Sequence, residues 1–472
     1  MSFASIHFIF LFFPIVLLLF YISRNRNWRN TILVLASIVF FAWSDLSHLP
    51  LLAVLVLFNY FYGLMIAKSN QKGLTTRSKL HMWTAVTINI LLLCFYKYTG
   101  FFAESIQTIT QFPLEWKAQV LPLGISYLTF SALAYILDVY NGVEPAESNF
   151  IRFSAFLIMF PRLIQGPIAR FGQVKDGLLN TGFVSADVIQ GVRRFIIGLA
   201  KKVILADSLA VAANKVFNAD LSTIGAGVAW FGLISFTLQI YFDFSGYTDM
   251  AVGLGRIFGF KLPENFNYPY ISLSITDFWR RWHLSLVSWF RTYLFFPLEF
   301  ARRKEKFLRQ QSNLLIVFLL TGLWHGAGWN YVLWGVYFGL VLALEASGLG
   351  KLLKKAPRFL QHLYSISLIM LGWIFFRITD IHDWGPFLGA LFGAHGSANL
   401  LTLRSLNILF YLPVLLLAAI FAVPVFKKIE ERFDRYPGYV RAIADLILLA
   451  VFILAIGYIL SNGFTPFMYA QF

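Results

Sequence analysis

Long apolar runs separated by short polar segments follow one another along the whole chain. A helix that crosses a bilayer needs about 20 mostly apolar residues, so this pattern predicts an all-α, polytopic membrane protein. We expect roughly 10–13 membrane-crossing or re-entrant helices. No repeat or soluble segment separates the runs, which predicts a single domain over residues 1–472. The predicted helices are 4–22, 31–46, 49–67, 80–102, 118–140, 150–168, 192–214, 224–247, 313–346, 363–378, 405–426 and 440–461.

The apolar run 313–346 is too long for one membrane span. As a single helix it would extend about 50 Å at 1.5 Å per residue, whereas the hydrocarbon core of a bilayer is about 30 Å thick. Gly326-Ala-Gly328 interrupts the run. We therefore predict a half-length or re-entrant helix before these glycines and a full span after them.

Residues 261–312 do not form a typical span, and we predict an amphipathic or re-entrant segment there. Pro263 and Pro269 break helices, and Ser274 followed by Asp277 resembles a capping box. After this start, apolar residues recur at spacings of three and four, which predicts one face of an amphipathic helix. The face consists of Trp279, Trp282, Leu286, Trp289 and Tyr293, with His283 at its edge.

Two roles fit this amphipathic segment. Its tryptophans can lie at the level of the lipid headgroups while its arginines meet lipid phosphates. Alternatively, the helix guides an anionic donor to a buried site, because Arg280 and Arg281 suit bidentate phosphate contacts. Asp277 can pair with either arginine at helical spacing. The residues alone leave both roles open.

Composition and charge agree with a membrane protein. Of the 472 residues 58% are hydrophobic and 13% are charged, against about 25% charged residues in soluble chains. The 39 basic residues exceed the 23 acidic ones, but they lie between apolar runs, as in polytopic proteins, rather than on a nucleic-acid-binding surface. Their positions place the N-terminus outside the cytoplasm. The single cysteine, Cys94, excludes an intramolecular disulfide and a CxxC redox pair.

His325 is the candidate for chemistry within an apolar run. Counted from Asn313, it lies about 18 Å along a helix, near the expected bilayer midplane, where an ionisable group is costly and indicates function. Desolvation keeps such an imidazole neutral, which suits a general base acting on a hydroxyl. The alternative is a packed structural histidine. No H-x-x-H or H-E-x-x-H spacing supports a zinc site.

A second group of polar residues lies near the end of the run 224–247. Gln239, Asp243 and Asp249 are expected to face the protein interior or a water-filled cavity. Asp243 can orient a catalytic histidine or an arginine, or can simply hold helices together. Intramembrane polar groups are also typical of a transporter or a lipid-linked glycan flippase, although the chain lacks two related halves. Haem ligation by His283 and His325 is a further alternative without a supporting motif.

Two histidine motifs resemble the signature of the membrane-bound O-acyltransferases. They are Asp277-Phe-Trp-Arg-Arg-Trp-His283 and Leu323-Trp-His325-Gly. The chain is most similar to the bacterial branch that holds the alginate O-acetyltransferase membrane subunit and the D-alanyl transfer protein of teichoic acid modification. Supporting matches are Pro122-Leu-Gly-Ile-Ser126, Gln165-Gly-Pro-Ile168, Gly198-Leu-Ala-Lys-Lys202, Tyr241-Phe-Asp-Phe-Ser-Gly-Tyr247-Thr-Asp249 and Phe467-Met-Tyr-Ala-Gln-Phe472.

The resemblance implies a multi-helix fold around a central tunnel, in the inner membrane of a bacterium. It implies transfer of an acyl group, preferably acetyl, from a cytoplasmic thioester to a hydroxyl, ultimately on an extracytoplasmic polysaccharide such as alginate. The donor would be acetyl-CoA or an acyl-carrier-protein thioester, with no bound cofactor or metal. The implied partners are membrane lipids, the donor, an SGNH-type acyltransferase outside the cytoplasm and the polysaccharide acceptor.

The resemblance also assigns roles to individual residues. His325 would be the essential catalytic histidine and His283 a second histidine that lines the site. Trp282 and Trp324 would keep the site dry and so limit hydrolysis of the thioester. His283, Asn330 or a tunnel-lining amide would stabilise the oxyanion, and Gln239 is a further candidate for binding substrate or donor. Arg280 and Arg281 would contact the phosphates of the donor.

Overall fold

The computed structural model describes residues 1–112, 116, 119–179, 184–305, 307–394, 406–425, 436–462 and 466–467. Within these ranges the chain consists of helices, turns and loops, without an extended β-strand, so the all-α prediction is confirmed. The helices are α1 (Phe8–Tyr21), α2 (Arg26–Ser44), α3 (Leu49–Gln71), α4 (Thr75–Thr110), α5 (Ile125–Tyr140), α6 (Phe150–Ile158), α7 (Phe160–Leu163), α8 (Phe171–Leu179), α9 (Ser185–Ala200), α10 (Asp207–Phe217), α11 (Ala226–Ile257), α12 (Ile275–Trp279), α13 (Leu284–Phe290), α14 (Phe296–Ala301), α15 (Arg309–His325), α16 (Trp329–Leu344), α17 (Gly350–Leu353), α18 (Arg358–Arg377), α19 (Trp384–Leu391), α20 (Ile408–Phe421) and α21 (Gly438–Asn462).

Six helices of the described chain are long and apolar enough to cross a membrane. Helices this long and apolar, in this number, make the protein a multi-pass membrane protein. Three shorter apolar helices, α1, α5 and α20, accompany them. The larger number of roughly 10–13 membrane helices and the central tunnel stay predictions. The six spans are Leu49–Gln71, Thr75–Thr110, Ala226–Ile257, Trp329–Leu353, Arg358–Arg377 and Gly438–Ser461.

The chain divides into two compact units according to its internal contacts. The first unit holds Met1–Ile196 and Tyr247–Glu264, and the second holds Ile197–Gly246 and the described chain from Asn265 onward. Helices α9 and α11 therefore contribute residues to both units. Whether the two units act as the single domain expected for residues 1–472 stays a prediction.

The first unit packs its N-terminal helices through aromatic side chains. Phe8 and Phe40 on α1 and α2 are fully buried and contact each other and Phe160. The predicted span 150–168 is wrong as one continuous helix. Met159 has an extended backbone (φ −54°, ψ 125°) and separates α6 from the four-residue α7. Pro161, which lacks a backbone N–H, follows at the start of α7 and is tolerated only because a helix begins there.

The second unit contains the break expected in the run 313–346. Helix α15 ends at His325 and α16 begins at Trp329, so the predicted interruption at Gly326–Gly328 is confirmed. Helix α15 begins at Arg309, four residues before the expected Asn313. Gly322 and Gly335 let the two helices approach, because a Cβ on Gly322 would lie 2.3 Å from the Tyr331 carbonyl oxygen. This close packing fixes the end of α15, and with it His325.

The prediction of one continuous amphipathic helix from Trp279 to Tyr293 is wrong, because the structure divides this stretch. Helix α12 ends at Trp279, a turn follows, and α13 begins at Leu284. His283 interrupts the helix with φ +49° and ψ 51°, a left-handed conformation that residues other than glycine rarely adopt. Spacing of apolar residues cannot reveal such a break, because α12 and α13 each keep helical periodicity on their own side of it.

Candidate active site around two histidines

His325 occupies the last position of α15, in a cage of aromatic rings. Its side chain is almost fully buried, with 3% exposed. The imidazole centroid lies 5.0 Å from Trp324, 5.0 Å from Trp334 on α16 and 5.6 Å from Phe376 on α18. All three rings meet it nearly edge to face. This largely apolar cage excludes bulk water from the imidazole.

Gly326 allows the aromatic cage to close directly after His325. A Cβ on Gly326 would lie 2.1 Å from a carbon of the Tyr331 ring, well inside van der Waals contact. The Tyr331 ring is buried and packs 5.2 Å from Phe376. The φ of Gly326, −166°, is accessible to any residue, so the lack of space for a side chain, and not the backbone conformation, explains the glycine.

The structure brings His283 to the same place. The two imidazole centroids are 6.5 Å apart, and Trp324 contacts both rings, at 5.9 Å from His283 and 5.0 Å from His325. Phe244 of α11 packs 4.7 Å from His283 on another side. His283 is fully buried, with 0% exposed. Two histidines that are distant in sequence thus belong to one buried cluster of aromatic side chains.

Asn265 fixes the ring of His283. Its Oδ1 lies 3.2 Å from Nδ1 of His283 and accepts hydrogen bonds from the backbone N–H and the hydroxyl of Ser285. Nε2 of His283 is buried and has no hydrogen-bond partner among the described residues. His283 lies outside the six candidate spans, and burial lowers its pKa to about 3, opposed by a hydrogen bond with its own backbone. His283 is therefore neutral at physiological pH.

The structure places Trp324 against both imidazoles and packs Trp282 among other aromatic rings. Trp282 is buried, with its ring centroid 4.9 Å from Trp373 of α18 and 5.0 Å from Phe266. Trp324 is also buried and contacts both histidines. Their positions agree with a role in keeping water out, which stays a prediction.

The two arginines of the motif have different surroundings in the structure. Arg281 pairs with Asp277 at 3.0 Å and donates to the Asn267 carbonyl oxygen at 3.3 Å. Arg280 is exposed and forms no ion pair within the described part of the chain. Ser274 caps α12 as predicted, accepting a hydrogen bond from the Asp277 N–H at 3.0 Å. Of the two arginines, Arg280 is therefore the one that is available to an anionic ligand.

Asp243 belongs to a cluster of charged side chains around Lys202. Asp243 forms a buried ion pair with Lys202 at 2.7 Å, and Lys202 also contacts Asp207 at 2.7 Å. Lys202 further donates to the Pro466 carbonyl oxygen at 3.3 Å. Asp243 thus holds a cation within the second unit, which supports the expectation that it pins helices together.

Asn330 was expected to stabilise an oxyanion, and Gln239 to bind substrate or donor. Asn330 is buried, and its Nδ2 donates to the Phe375 carbonyl oxygen at 3.4 Å, linking α16 to α18. Gln239 is partly buried, and its Oε1 has no hydrogen-bond partner among the described residues. Asp249, in the first unit, pairs with Arg194 at 2.6 Å. These roles of Asn330 and Gln239 stay predictions.

Glu345 is a positioning residue that the sequence analysis missed. Its buried carboxylate accepts hydrogen bonds from the backbone N–H groups of Ile275 and Thr276, at 2.8 and 2.9 Å. It also accepts from the Thr276 hydroxyl at 2.6 Å. A carboxylate at a helix N-terminus satisfies unpaired donors and complements the helix dipole. Glu345 therefore anchors α12, which leads into His283.

No spacing rule could have connected Glu345 or Asn265 to the site, since each acts from another segment. The available signal for Asn265 was its place in a proline-bounded loop directly before the histidine motif. In the ranges that the structure describes, no group of three or more His, Cys, Asp or Glu side chains could hold a metal ion.

Comparisons with known proteins show which proteins the chain is similar to. The chain is 36% identical to the protein named probable alginate O-acetylase AlgI of Azotobacter vinelandii, over 100% of both chains. It is 42% identical to the protein of the same name in Pseudomonas aeruginosa, over 81% of this chain and 73% of that one. The peptidoglycan O-acetyltransferase of Helicobacter pylori is 35% identical over 82% of this chain and 79% of its own. The sequence model of the MBOAT family matches residues 33–375, and the chain belongs to this family of membrane-bound O-acyltransferases.

Proposed function

We propose that this protein transfers an acetyl group from a cytoplasmic thioester to a hydroxyl, ultimately on an extracytoplasmic polysaccharide. Family membership makes it an O-acyltransferase, and relatives similar over most of the chain are named for O-acetylation of alginate or peptidoglycan. The observation that carries the proposal is the pair of buried histidine rings, 6.5 Å apart in one cluster of aromatic side chains. The same membership favours acyl transfer over the transporter, flippase and haem alternatives.

In this mechanism His325 is the general base. As the acceptor hydroxyl oxygen attacks the thioester carbonyl carbon, neutral His325 takes the hydroxyl proton. A C–O bond forms, the C–S bond breaks, and the imidazolium returns the proton to the leaving sulfur. Burial favours this role, because a desolvated imidazole stays neutral until it accepts a proton. Trp282 and Trp324 reduce competition from water, which would otherwise hydrolyse the thioester.

The donor and the acceptor reach the site from opposite sides of the membrane in this proposal. Acetyl-CoA and an acyl-carrier-protein thioester both carry phosphates, for which exposed Arg280 is a suitable contact. No bound cofactor is needed, because the thioester itself activates the acyl group. The polysaccharide lies outside the cytoplasm, and an SGNH-type acyltransferase there is the proposed partner that completes the transfer.

The location belongs to the same proposal. The chain would lie in the bacterial inner membrane with an extracytoplasmic N-terminus, surrounded by membrane lipids. Basic residues support this orientation, since the loops near Arg24–Arg29 and Lys68–Lys79 flank two spans whose joining turn carries no Lys or Arg.

Replacement of His325 tests the function. In membranes of the native host, which contain any partner protein, we expect the wild type to move labelled acetyl from acetyl-CoA or an acetylated carrier protein into polysaccharide. His325→Ala should lower the rate by about 10²–10⁴-fold, the usual contribution of a general base. The control is His382→Ala, because His382 is exposed in the short 3₁₀ helix Ile381–Asp383.

Two results would contradict the proposal. A His325→Ala protein that is as abundant and as thermally stable as the wild type, and equally active, would overturn the role of His325. Absence of transfer from both thioesters in the wild type would overturn the proposed donor chemistry.

A further inference from the structure

The hydrogen bonds around Asn265 determine the orientation of its amide. The backbone N–H of Ser285 lies 3.1 Å from the side-chain atom assigned as Oδ1. A backbone N–H can only donate, so this atom must be the amide oxygen and not the amide nitrogen. The amide of Asn265 therefore cannot be flipped without placing two N–H donors against each other.

The orientation of Asn265 in turn determines the tautomer of His283. Nδ1 of His283 lies 3.2 Å from the same amide oxygen. An oxygen that faces a ring nitrogen within hydrogen-bond distance requires a proton on that nitrogen. A neutral imidazole carries one proton, so Nδ1 is the donor and Nε2 carries the lone pair.

The Nε2 atom that carries this lone pair lies among aromatic side chains. Nε2 of His283 is buried and has no hydrogen-bond partner among the described residues, although a buried polar atom normally has one. Phe244 and Trp324, which contact the ring, offer it no charged group. Among the rings that contact His283, the titratable one is His325 on α15. Nε2 of His283 is therefore a buried hydrogen-bond acceptor without a donor among the described residues.

We infer that Asn265 is a positioning residue for acyl transfer, which holds His283 as the Nδ1–H tautomer so that its Nε2 accepts a hydrogen bond from a hydroxyl of the acceptor. This inference rests on the proposed function. A carbohydrate acceptor carries several hydroxyls, so one can donate to His283 while another loses its proton to His325. Ser285 completes the arrangement, because its N–H and hydroxyl hold the Asn265 oxygen in place.

The first test observes the tautomer directly. In full-length protein labelled with ¹⁵N-histidine, NMR of the imidazole nitrogens should show one histidine with a protonated Nδ1 and an unprotonated Nε2, unchanged from pH 5 to pH 9. The signal should be absent from His283→Gln, which assigns it. A wild-type signal from the opposite tautomer, or from a doubly protonated ring, would overturn the inference.

The second test uses replacements of Asn265 and the pH dependence of transfer. Asn265→Leu has a similar size but no acceptor, and it should lower acetyl transfer about tenfold at every pH, as expected for losing the hydrogen bond that orients His283. Asn265→Asp keeps the acceptor and should restore transfer at pH 9. Its carboxylate should raise the pKa of His283, so transfer falls as the pH drops and Nε2 becomes protonated. The wild type should lack this acidic limb.

The matched control is the same pair of changes at Asn267, which is exposed two residues further along the loop. Both Asn267 variants should keep the wild-type rate and pH profile. An Asn265→Asp protein with the wild-type pH profile, or an Asn265→Leu protein with the wild-type rate and tautomer, would contradict the inference. If Asn265→Leu fails to fold, the tautomer of His283 in the wild type and the pH profile of Asn265→Asp still test the inference. Failure of the proposed function is distinct, because the wild type would then transfer no acetyl group.

Discussion

At the scale of single residues, side chains that are neighbours in the sequence have different partners in the structure. Arg280 and Arg281 are neighbours in the motif, but only Arg281 is held by Asp277 and the Asn267 carbonyl. A sequence pattern could indicate that one of the arginines pairs with Asp277, but not which one. The direction of each side chain depends on where α12 ends.

Replacing the two arginines in turn should give different results. Arg280→Gln should raise the KM for acetyl-CoA several-fold, because an exposed cation attracts the phosphates of the donor. The increase should be larger at low salt, since dissolved ions screen this attraction less. Arg281→Gln should leave this KM nearly unchanged and lower the stability by about 0.2–1 kcal/mol, the usual value of an exposed ion pair. Steady-state kinetics and thermal unfolding in detergent measure both effects. Equal changes in KM would argue against Arg280 as the donor contact.

At the scale of elements, the site depends on short helices that are anchored from elsewhere. Helix α12 has five residues, too few to be stable alone. Ser274 satisfies one of its N-terminal donors, and the buried carboxylate of Glu345 satisfies two others. Because α12 leads directly into the left-handed His283, the anchor fixes where the imidazole lies.

Removing the Glu345 anchor should therefore weaken both stability and activity. Glu345→Ala leaves two buried backbone N–H groups without their acceptor, which should cost about 1–3 kcal/mol. Acetyl transfer should fall with it, because His283 is no longer held in place. Glu345→Gln keeps an acceptor oxygen and should be affected less. Glu305→Gln, at an exposed glutamate, serves as control, and an Ala variant as stable as this control would refute the anchoring role.

At the scale of the whole molecule, charge and hydropathy determine how the chain inserts in a bilayer. Lys and Arg are costly to move across the membrane, so the segments that carry them remain in the cytoplasm. The turn between α2 and α3 carries Asp45 and His48 in place of basic residues. The predicted orientation thus follows from the distribution of charge between spans, and this distribution can be read from the sequence.

Cysteine labelling tests the orientation, since Cys94 is the only cysteine of the chain. In a Cys94→Ala background, Ser47→Cys in the turn between α2 and α3 should react with a membrane-impermeant maleimide added to spheroplasts. Lys72→Cys, after α3, should react only once the membrane is permeabilised. The reverse pattern would place the N-terminus in the cytoplasm and contradict the proposed topology.

The sequence by itself determined the features that depend on composition and local pattern. Apolar length predicts an all-α membrane protein, glycines predict the interruption after His325, and Ser274 with Asp277 predicts the start of α12; these three features are confirmed, whereas the continuous span 150–168 is wrong. These features are local, because hydrogen bonding and burial along one segment are sufficient to produce them.

Only the tertiary structure decided what surrounds the histidines. The left-handed turn at His283, the amide of Asn265 and the carboxylate of Glu345 depend on contacts between segments far apart in the chain. Likewise, Asp243 could serve a histidine or a cation by its sequence, and the structure pairs it with Lys202. Such contacts form only when helices pack against one another, and a sequence pattern does not show which helix faces will be in contact.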